Sequence, residues 1–531
     1  MRIKFGFTIW KRYLHHSSPQ KLNNWKKPVG FDTGISIYNY MIKKKVPLIL
    51  NNKNIAKWYM CGPTVYDSAH IGHACTYTRF DIIRRILSEH FNINVICVMS
   101  ITDIDDKIIN RSSGSSQFSD WKELSKYYEN EFNNDMKLLN IQSPYLNCRV
   151  TDYIPQIIDF INVLLEKNMA YVVNGSVYFK TLDCNLYDKF GKLDKKAINM
   201  DNPSERGEKK SSLDFALWKA SKTIDEPSWK SPWGNGRPGW HIECSAMASF
   251  TLGSNIDIHS GGIDLMFPHH ENEEAQSCCY HSTGQWINNW LHSGLLHLDD
   301  TKMSKSLNNT VTIRNMLDKY TPNQFRLLCL YTHYRSTIEF NEKTMDKAVA
   351  LMKKFEYFYG DCKNYISGKL QANNIDEALI YDRLINAQVN IKNYLANDFG
   401  TPQVIEELSE LVTVVNKMIV PSDPDSNNTT TGARSADCIA AVSQYVDKVL
   451  KSFGIVNSQE VILANDDKIN QIVDTLVNFR STIRNKALKD FKDQQQKELL
   501  TICDDARKNL SDCGIKIKDF KDNSTWTILE K

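Results

Sequence analysis

The most constraining feature of the chain is an unbroken apolar run, Val95-Ile96-Cys97-Val98-Met99, opened by Asn94. Such a run suits a strand buried on both faces of a parallel sheet. Before it, Phe80, Ile82, Ile83, Ile86 and Leu87 form a helical stripe that leaves Arg84, Arg85 and Glu89 outside. Earlier still, Lys57-Trp58-Tyr59-Met60-Cys61 reads as a short strand, ended by the Gly62-Pro63 turn. Strand, helix and strand within about forty residues predict a doubly wound α/β sheet whose ligand lies beyond the strand ends.

The chain is 531 residues long, too long for one core, and is 42% apolar and 24% charged, which excludes a disordered or fibrous chain. No stretch approaches the roughly 18 uninterrupted apolar residues of a spanning helix, so no membrane partner is expected. Five regions follow from the pattern. Residues 1–31 hold seven basic residues and no acid, with Phe5, Phe7, Ile9, Trp10 and Leu14 interleaved, the composition of a mitochondrial presequence. Residues 32–340 hold the α/β part, with an insertion at about 107–212 that ends in a charged tract. Residues 341–465 read as a helical bundle interrupted by a loop at 421–435, and 466–531 as a small terminal domain with one long helix and short strands. The cysteines number thirteen, an odd count without a C-x-x-C pair, so a disulfide framework is not expected and any metal site must gather distant residues.

Ten of the 13 histidines lie between His70 and His297, which marks that stretch as functional. His70-Ile71-Gly72-His73 stands between a strand end and a helix start, where both imidazoles can face a ligand, Gly72 permits close approach and the helix terminus favours phosphate. Lys302-Met303-Ser304-Lys305-Ser306 puts two lysines on a polar loop, able to neutralise charge on a transferring polyphosphate. Either string alone reads as plain polar surface; the ordered pair, about 230 residues apart, is specific.

These two strings resemble the HIGH and KMSKS signatures of class I aminoacyl-tRNA synthetases. The longer segments YMCGPTVYDSAHIGH, ITDIDDKI, GRPGWHIECSAM and DIHSGGIDLMFPHHENE resemble the cysteinyl-tRNA synthetases in particular, and the basic start their mitochondrial forms. The resemblance implies a Rossmann-type catalytic domain with an inserted connective subdomain, followed by an α-helical bundle and a small C-terminal domain. It implies activation of L-cysteine with ATP and transfer of the cysteinyl group to cysteine tRNA in the mitochondrial matrix. His70, His73, Lys302 and Lys305 would be catalytic; His70, Gly72, His73, His259, Asp264 and Lys305 would hold ATP, with Mg²⁺ accompanying it. Gly62, Thr102, Trp240 and His269 would border the amino acid.

The resemblance also carries one Zn²⁺ onto Cys61, Cys244, His269 and Glu273. Spacing alone would leave the cysteines as core residues and His269 as a capping residue, although a pair four apart on a helix does share a face. His270 and Glu271 are expected to point elsewhere. A cysteine pocket admits serine and alanine by size, and apolar contacts discriminate by only ~1–3 kcal/mol, so a thiophilic ion is the chemical means of telling thiol from hydroxyl. Asn110 stands where lysine is usual in the basic motif Lys107–Arg111, which puts any chemistry tied to that lysine in doubt. Trp526 matches a tryptophan that could stack on an anticodon base, or else anchor a core. A monomer is expected. Two rivals are a ligase joining cysteine to an amino sugar and a non-catalytic RNA-binding relative; the long C-terminal part disfavours the first, the intact motifs the second.

Overall fold

The computed structural model describes residues 25–191, 207–223, 225–298, 301–302, 310–370, 375–419, 435–456, 467–490, 493–520 and 524–529. Most of the basic start, the tract 201–206 and the loop 421–434 lie outside these residues. Within the described part the folded unit begins before residue 31. Trp25 Nε1 donates to the Asn288 carbonyl at 2.8 Å and the Lys26 amide to Gln285 Oε1 at 2.8 Å.

The chain first lays down an antiparallel pair, β1 (Phe31–Asn39) and β2 (Lys44–Leu50). Then β3 (Ile55–Met60), α1 (Ile71–Phe91) and β4 (Asn94–Ile101) form the expected strand-helix-strand unit, the helix beginning a full two turns before its apolar stripe. α2 (Asp106–Ser113) and α3 (Trp121–Leu138) lead to β5 (Leu146–Arg149), and α4 (Ile154–Glu166) follows. Next come β6 (Ala170–Val173), β7 (Ser176–Phe179), β8 (Phe215–Ala220), β9 (Trp229–Ser231) and β10 (Gly234–Pro238), which make a separate antiparallel sheet in the order β6-β7-β8-β10-β9. α5 (Trp240–Leu252), β11 (Ile256–Gly262), α6 (Glu271–His281) and β12 (Ile287–Ser293) return to the first sheet.

That main sheet has the order β12-β11-β3-β4-β5 and every neighbouring pair is parallel. Numbered by appearance this is 5-4-1-2-3, the doubly wound order of nucleotide-binding sheets, with the change of direction beside β3. β12 is buried along its whole length, as double coverage requires. The stretch 107–149 therefore differs from the expected insertion: β5 pairs with β4 in the main sheet, and the inserted sheet runs from 170 to 238. Leu146-Asn147-Cys148-Arg149 is too short and too polar to announce a sheet strand.

Beyond β12, the strands β13 (Leu296–Leu298), β14 (Thr301–Lys302) and β15 (Ile338–Phe340) make a small sheet, with α7 (Ile313–Leu317) and α8 (Pro322–Leu330) between them. The bundle is α9 (Glu342–Ile366), α10 (Glu377–Ala396), α11 (Thr401–Met418) and α12 (Ala436–Ser452). Asn341 begins α9 with a side chain that accepts the Thr344 amide at 2.9 Å. The final part holds two helices, Asp467–Asp490 and Asp493–Asp512, where one was expected, and then the hairpin Ile515–Asp519 with Ser524–Ile528. Among the described residues no helix is long and apolar enough to cross a membrane.

Candidate active site and metal centre

The carboxyl ends of the central strands open on a cavity of about 260 Å³. Cys61 and Gly62 reach it just after β3, Ser100 and Thr102 from the end of β4, and Gly262 from the end of β11. Only glycine fits at 62, because a Cβ there would lie 1.6 Å from the Ser100 carbonyl oxygen. Thr102 Oγ1 donates to Glu243 Oε2 at 3.0 Å, and burial holds that carboxyl well above the usual range.

The start of α1 forms one wall through His70, Gly72 and His73. His70 caps the helix: its Nδ1 accepts the Gly72 amide at 3.1 Å, while His73 Nδ1 accepts the His70 amide at 3.2 Å. Both Nδ1 atoms accept, so both rings are neutral with their protons on Nε2. The rings stack with centroids 4.0 Å apart.

Three of the four proposed metal donors, Cys61, Cys244 and His269, also line the cavity, and Glu273 joins them from outside its lining. Cys61, Cys244, His269 and Glu273 are all buried and offer ligand atoms within 4.8 Å of one another. The two sulfurs are 3.9 Å apart, Cys61 Sγ lies 3.7 Å from Glu273 Oε1, and His269 Nε2 lies 2.9 Å from the same oxygen. A tetrahedral ion with bonds of about 2.0–2.3 Å sets its ligands some 3–4 Å apart, so the cluster has the right size. Two thiols, an imidazole and a carboxylate also have the softness that suits zinc. Burial raises Cys61, whereas a hydrogen bond from Cys61 draws Cys244 down to about 6. Despite burial, the imidazoles of His259 and His269 hold Glu273 down to about 2.

The ring of His269 is fixed from both sides. Trp240 stacks on it at 4.3 Å, and its Nδ1 lies 3.0 Å from His241 Nδ1. Burial drives His241 well below its ordinary value, so His241 is neutral and can accept the His269 Nδ1 proton, leaving Nε2 for a metal.

The structure corrects two expectations here. His270 does not point away: its Nε2 lies 3.4 Å from Cys61 Sγ, and Cys61, His259, His270 and Glu273 form a second possible donor set. The backbone kinks just before α6, with Phe267 extended, and both neighbouring histidines, His269 and His270, are buried there. His259 does not border the cavity either. It is fully buried, donates from Nε2 to Glu273 Oε2 over 2.9 Å and stacks on Trp290 at 4.5 Å. It meets Glu273 away from the cavity, on the oxygen opposite His269. The first donor set is the more open one, since Cys61, Cys244 and His269 line the cavity, while His270 Nδ1 is engaged with His292 at 2.8 Å.

Gly62, Thr102, Trp240, Asp264 and His269 all border the cavity, as do His70, Gly72 and His73. Glu271 does point elsewhere, accepting the Lys189 and Phe190 amides at 2.9 Å each. The backbone of Lys302 pairs with His297 in β14, beside the cavity residues Leu295 and Leu296. Lys305 lies outside the described residues. Trp526 is half-buried against Val473, Val477 and Ile517 and its Nε1 donates to Asp474 at 2.9 Å, the behaviour of a core anchor.

A family model for tRNA synthetases class I (C) catalytic domain matches residues 48–350. A Xenopus tropicalis protein described as probable cysteine–tRNA ligase, mitochondrial, is 41% identical over 96% of this chain and 92% of its own. The chain belongs to the cysteine–tRNA ligases. Its relatives span compartments: a Dictyostelium discoideum cysteine–tRNA ligase, cytoplasmic, is 37% identical over 95% of this chain and 79% of its own. A cysteine–tRNA ligase of Methanococcus aeolicus is 37% identical over 93% and 99%. Among solved structures, Mycobacterium tuberculosis methionyl-tRNA synthetase in complex with methionyl-adenylate superposes with a TM-score of 0.53 over 75% of this chain and 90% of that one. At 12% identity that likeness concerns the fold. As a class I tRNA synthetase, the ligase has tRNA, ATP and cysteine as its partners, and the cavity lies at the carboxyl ends of its parallel sheet.

Proposed function

We propose that this cysteine–tRNA ligase serves mitochondrial translation and recognises its amino acid through a zinc ion held by Cys61, Cys244, His269 and Glu273. The observation that carries the reading is that three of these donors open onto the same cavity as His70 and His73. Bound there, zinc would supply a soft Lewis acid that accepts a thiolate and accepts a hydroxyl poorly.

The chain's own residues supply the rest. His70 and His73, each with a proton on Nε2, orient the phosphates of ATP at the positive end of α1, with Mg²⁺ accompanying the nucleotide. Asp264 borders the nucleotide side of the cavity, and Gly62 lets the amino acid approach the backbone. Cysteine's carboxylate attacks the α-phosphorus, and Lys302 and Lys305 neutralise the departing pyrophosphate. The terminal adenosine hydroxyl of tRNA then takes the cysteinyl group. Positioning and electrostatics account for both steps, so no general base is assigned.

Residues 341–465 contact the tRNA stem in this reading, and 466–531 approach the anticodon. The bonds that Trp25 and Lys26 make to the catalytic domain support a presequence ending upstream of residue 25 rather than at 31. Metal analysis of the full chain tests the central assignment: one equivalent of zinc per chain is expected, lost on Cys61→Ala with Cys244→Ala. Metal content unchanged in that variant would refute it. Import of the full chain into isolated mitochondria, with processing before residue 25, tests the compartment; failure to enter would contradict it.

A further inference from the structure

Beyond the metal donors, two pairs of thiols approach closely among the described residues: Cys75 with Cys329, both buried and closed to an oxidant, and Cys184 with Cys279. Cys184 Sγ lies 3.5 Å from Cys279 Sγ, and both cysteines are free. Cys184 sits in the inserted region just after β7; Cys279 is on the last turn of α6, the helix that carries Glu273. The segment from 184 to 190 runs along this helix. Tyr187 Oη donates to Asn272 Oδ1 at 2.6 Å, Glu271 accepts two amides, and Lys189 Nζ pairs with Glu274 at 2.7 Å.

We infer that Cys184 and Cys279 are a redox modification site, a dithiol that hydroperoxides convert to a disulfide tying this segment to α6. Covalent closure needs the sulfurs to come within about 2.05 Å, a movement of the scale of a side-chain rotation. Cys184 is buried and Cys279 partly buried, so a small peroxide reaches the pair from the Cys279 side. A hydrogen bond from Cys279 draws the Cys184 thiol below its ordinary value, and the Lys189 ammonium adds to the effect.

The chemistry balances with the peroxide as oxidant. The Cys184 thiolate attacks one peroxide oxygen, the O–O bond breaks and a sulfenic acid forms with release of hydroxide. Cys279 sulfur then displaces hydroxide from the sulfenyl sulfur, forming the S–S bond and losing its proton. Two thiols have given up two electrons and two protons, and hydrogen peroxide has become two waters. An external thiol reverses the step.

Other thiols are worse placed. Cys61 and Cys244 belong to the candidate metal centre. Cys278 is buried, is pushed up by that burial, and its sulfur contacts Glu274 and Lys189. Cys513 is exposed, which makes it an internal reference.

The test treats the full, zinc-loaded chain briefly with hydrogen peroxide, alkylates remaining thiols and maps peptides without reduction. The expected result is loss of alkylation at both Cys184 and Cys279, with a Cys184–Cys279 crosslink whose fragments exclude Cys278 and which dithiothreitol abolishes. In Cys184→Ser and, separately, Cys279→Ser, the crosslink is absent. Both thiols remaining alkylatable while Cys513 is oxidised would overturn the proposal, as would a link from either to any other cysteine. The result is independent of the proposed zinc role, because neither sulfur is a metal donor.

Discussion

At the scale of single residues, the site separates groups that touch the substrate from groups that hold those in place. Cys244→Ser removes a soft donor that faces the cavity but leaves the α1 wall intact. It is expected to raise KM for cysteine by at least about tenfold, the order of loss seen when a metal's surroundings are disturbed, and to leave KM for ATP within about twofold. Steady-state exchange kinetics measure both. Equal damage to both constants would mean that the substitution unfolds the pocket. His259→Ala tests the support from behind: Glu273 loses the partner at 2.9 Å that fixes its second oxygen. Chelator competition should show metal affinity down by about 10–100-fold, with KM for ATP unaffected. The cysteines and His269 were legible through motif resemblance. The places of His259 and His270 were not, because which way a side chain points in a strand or after a backbone kink depends on geometry that residue identities do not state.

Elements are tied together by a small number of buried charges. Arg326 of α8 is fully buried, pairs with Asp81 of α1 at 2.5 Å, and donates to the carbonyls of Leu139, Asn140 and Phe453. One guanidinium thus fastens the catalytic domain to the end of α12. Arg326→Ala would leave the buried Asp81 with only Arg85 and the Gln142 amide as partners among the described residues, at a cost of about 3–5 kcal/mol measured by denaturant unfolding. A change below about 1 kcal/mol would contradict this account. The strand-helix-strand unit was readable because β4 carries the unbroken apolar run Val95–Met99 and α1 has a clean stripe. β5 was not, since four residues including Asn147 and Arg149 owe their place in the sheet to pairing with β4. The second terminal helix was missed for a related reason: a charged, polar face with few apolar positions gives periodicity too weak to read.

In the whole molecule, the joint between α1 and the bundle carries a pH dependence. Burial, reinforced by Lys448, lowers His90 to about 4, and its Nε2 bonds to Ser452 Oγ at 2.7 Å. The unfolded chain, with histidine near its ordinary 6.5, binds the extra proton first as pH falls. Stability from this group is therefore complete above about 6.5 and is lost as pH drops towards 4, with a slope of at most about 1.4 kcal/mol per pH unit. His90→Gln should flatten the stability–pH curve in that window; an unchanged slope would exclude His90 as its source. At the far end, Lys518 pairs with Asp361 of α9, and Trp526 fills the terminal core. Trp526→Ala should cost the terminal domain about 2 kcal/mol or more and reduce tRNA charging while cysteine-dependent exchange is kept. The order of domains followed from composition, but how the terminal hairpin leans on α9 depends on contacts 157 residues apart, beyond any local pattern.

The assignment of thiol recognition to a bound ion is tested most directly by ATP–pyrophosphate exchange on the metal-stripped and zinc-restored chain, with serine as competitor. Stripping should abolish cysteine-dependent exchange, zinc should restore it, and serine in large excess should neither support nor inhibit it. Full cysteine-dependent exchange without metal, or exchange driven by serine in the restored enzyme, would contradict the account.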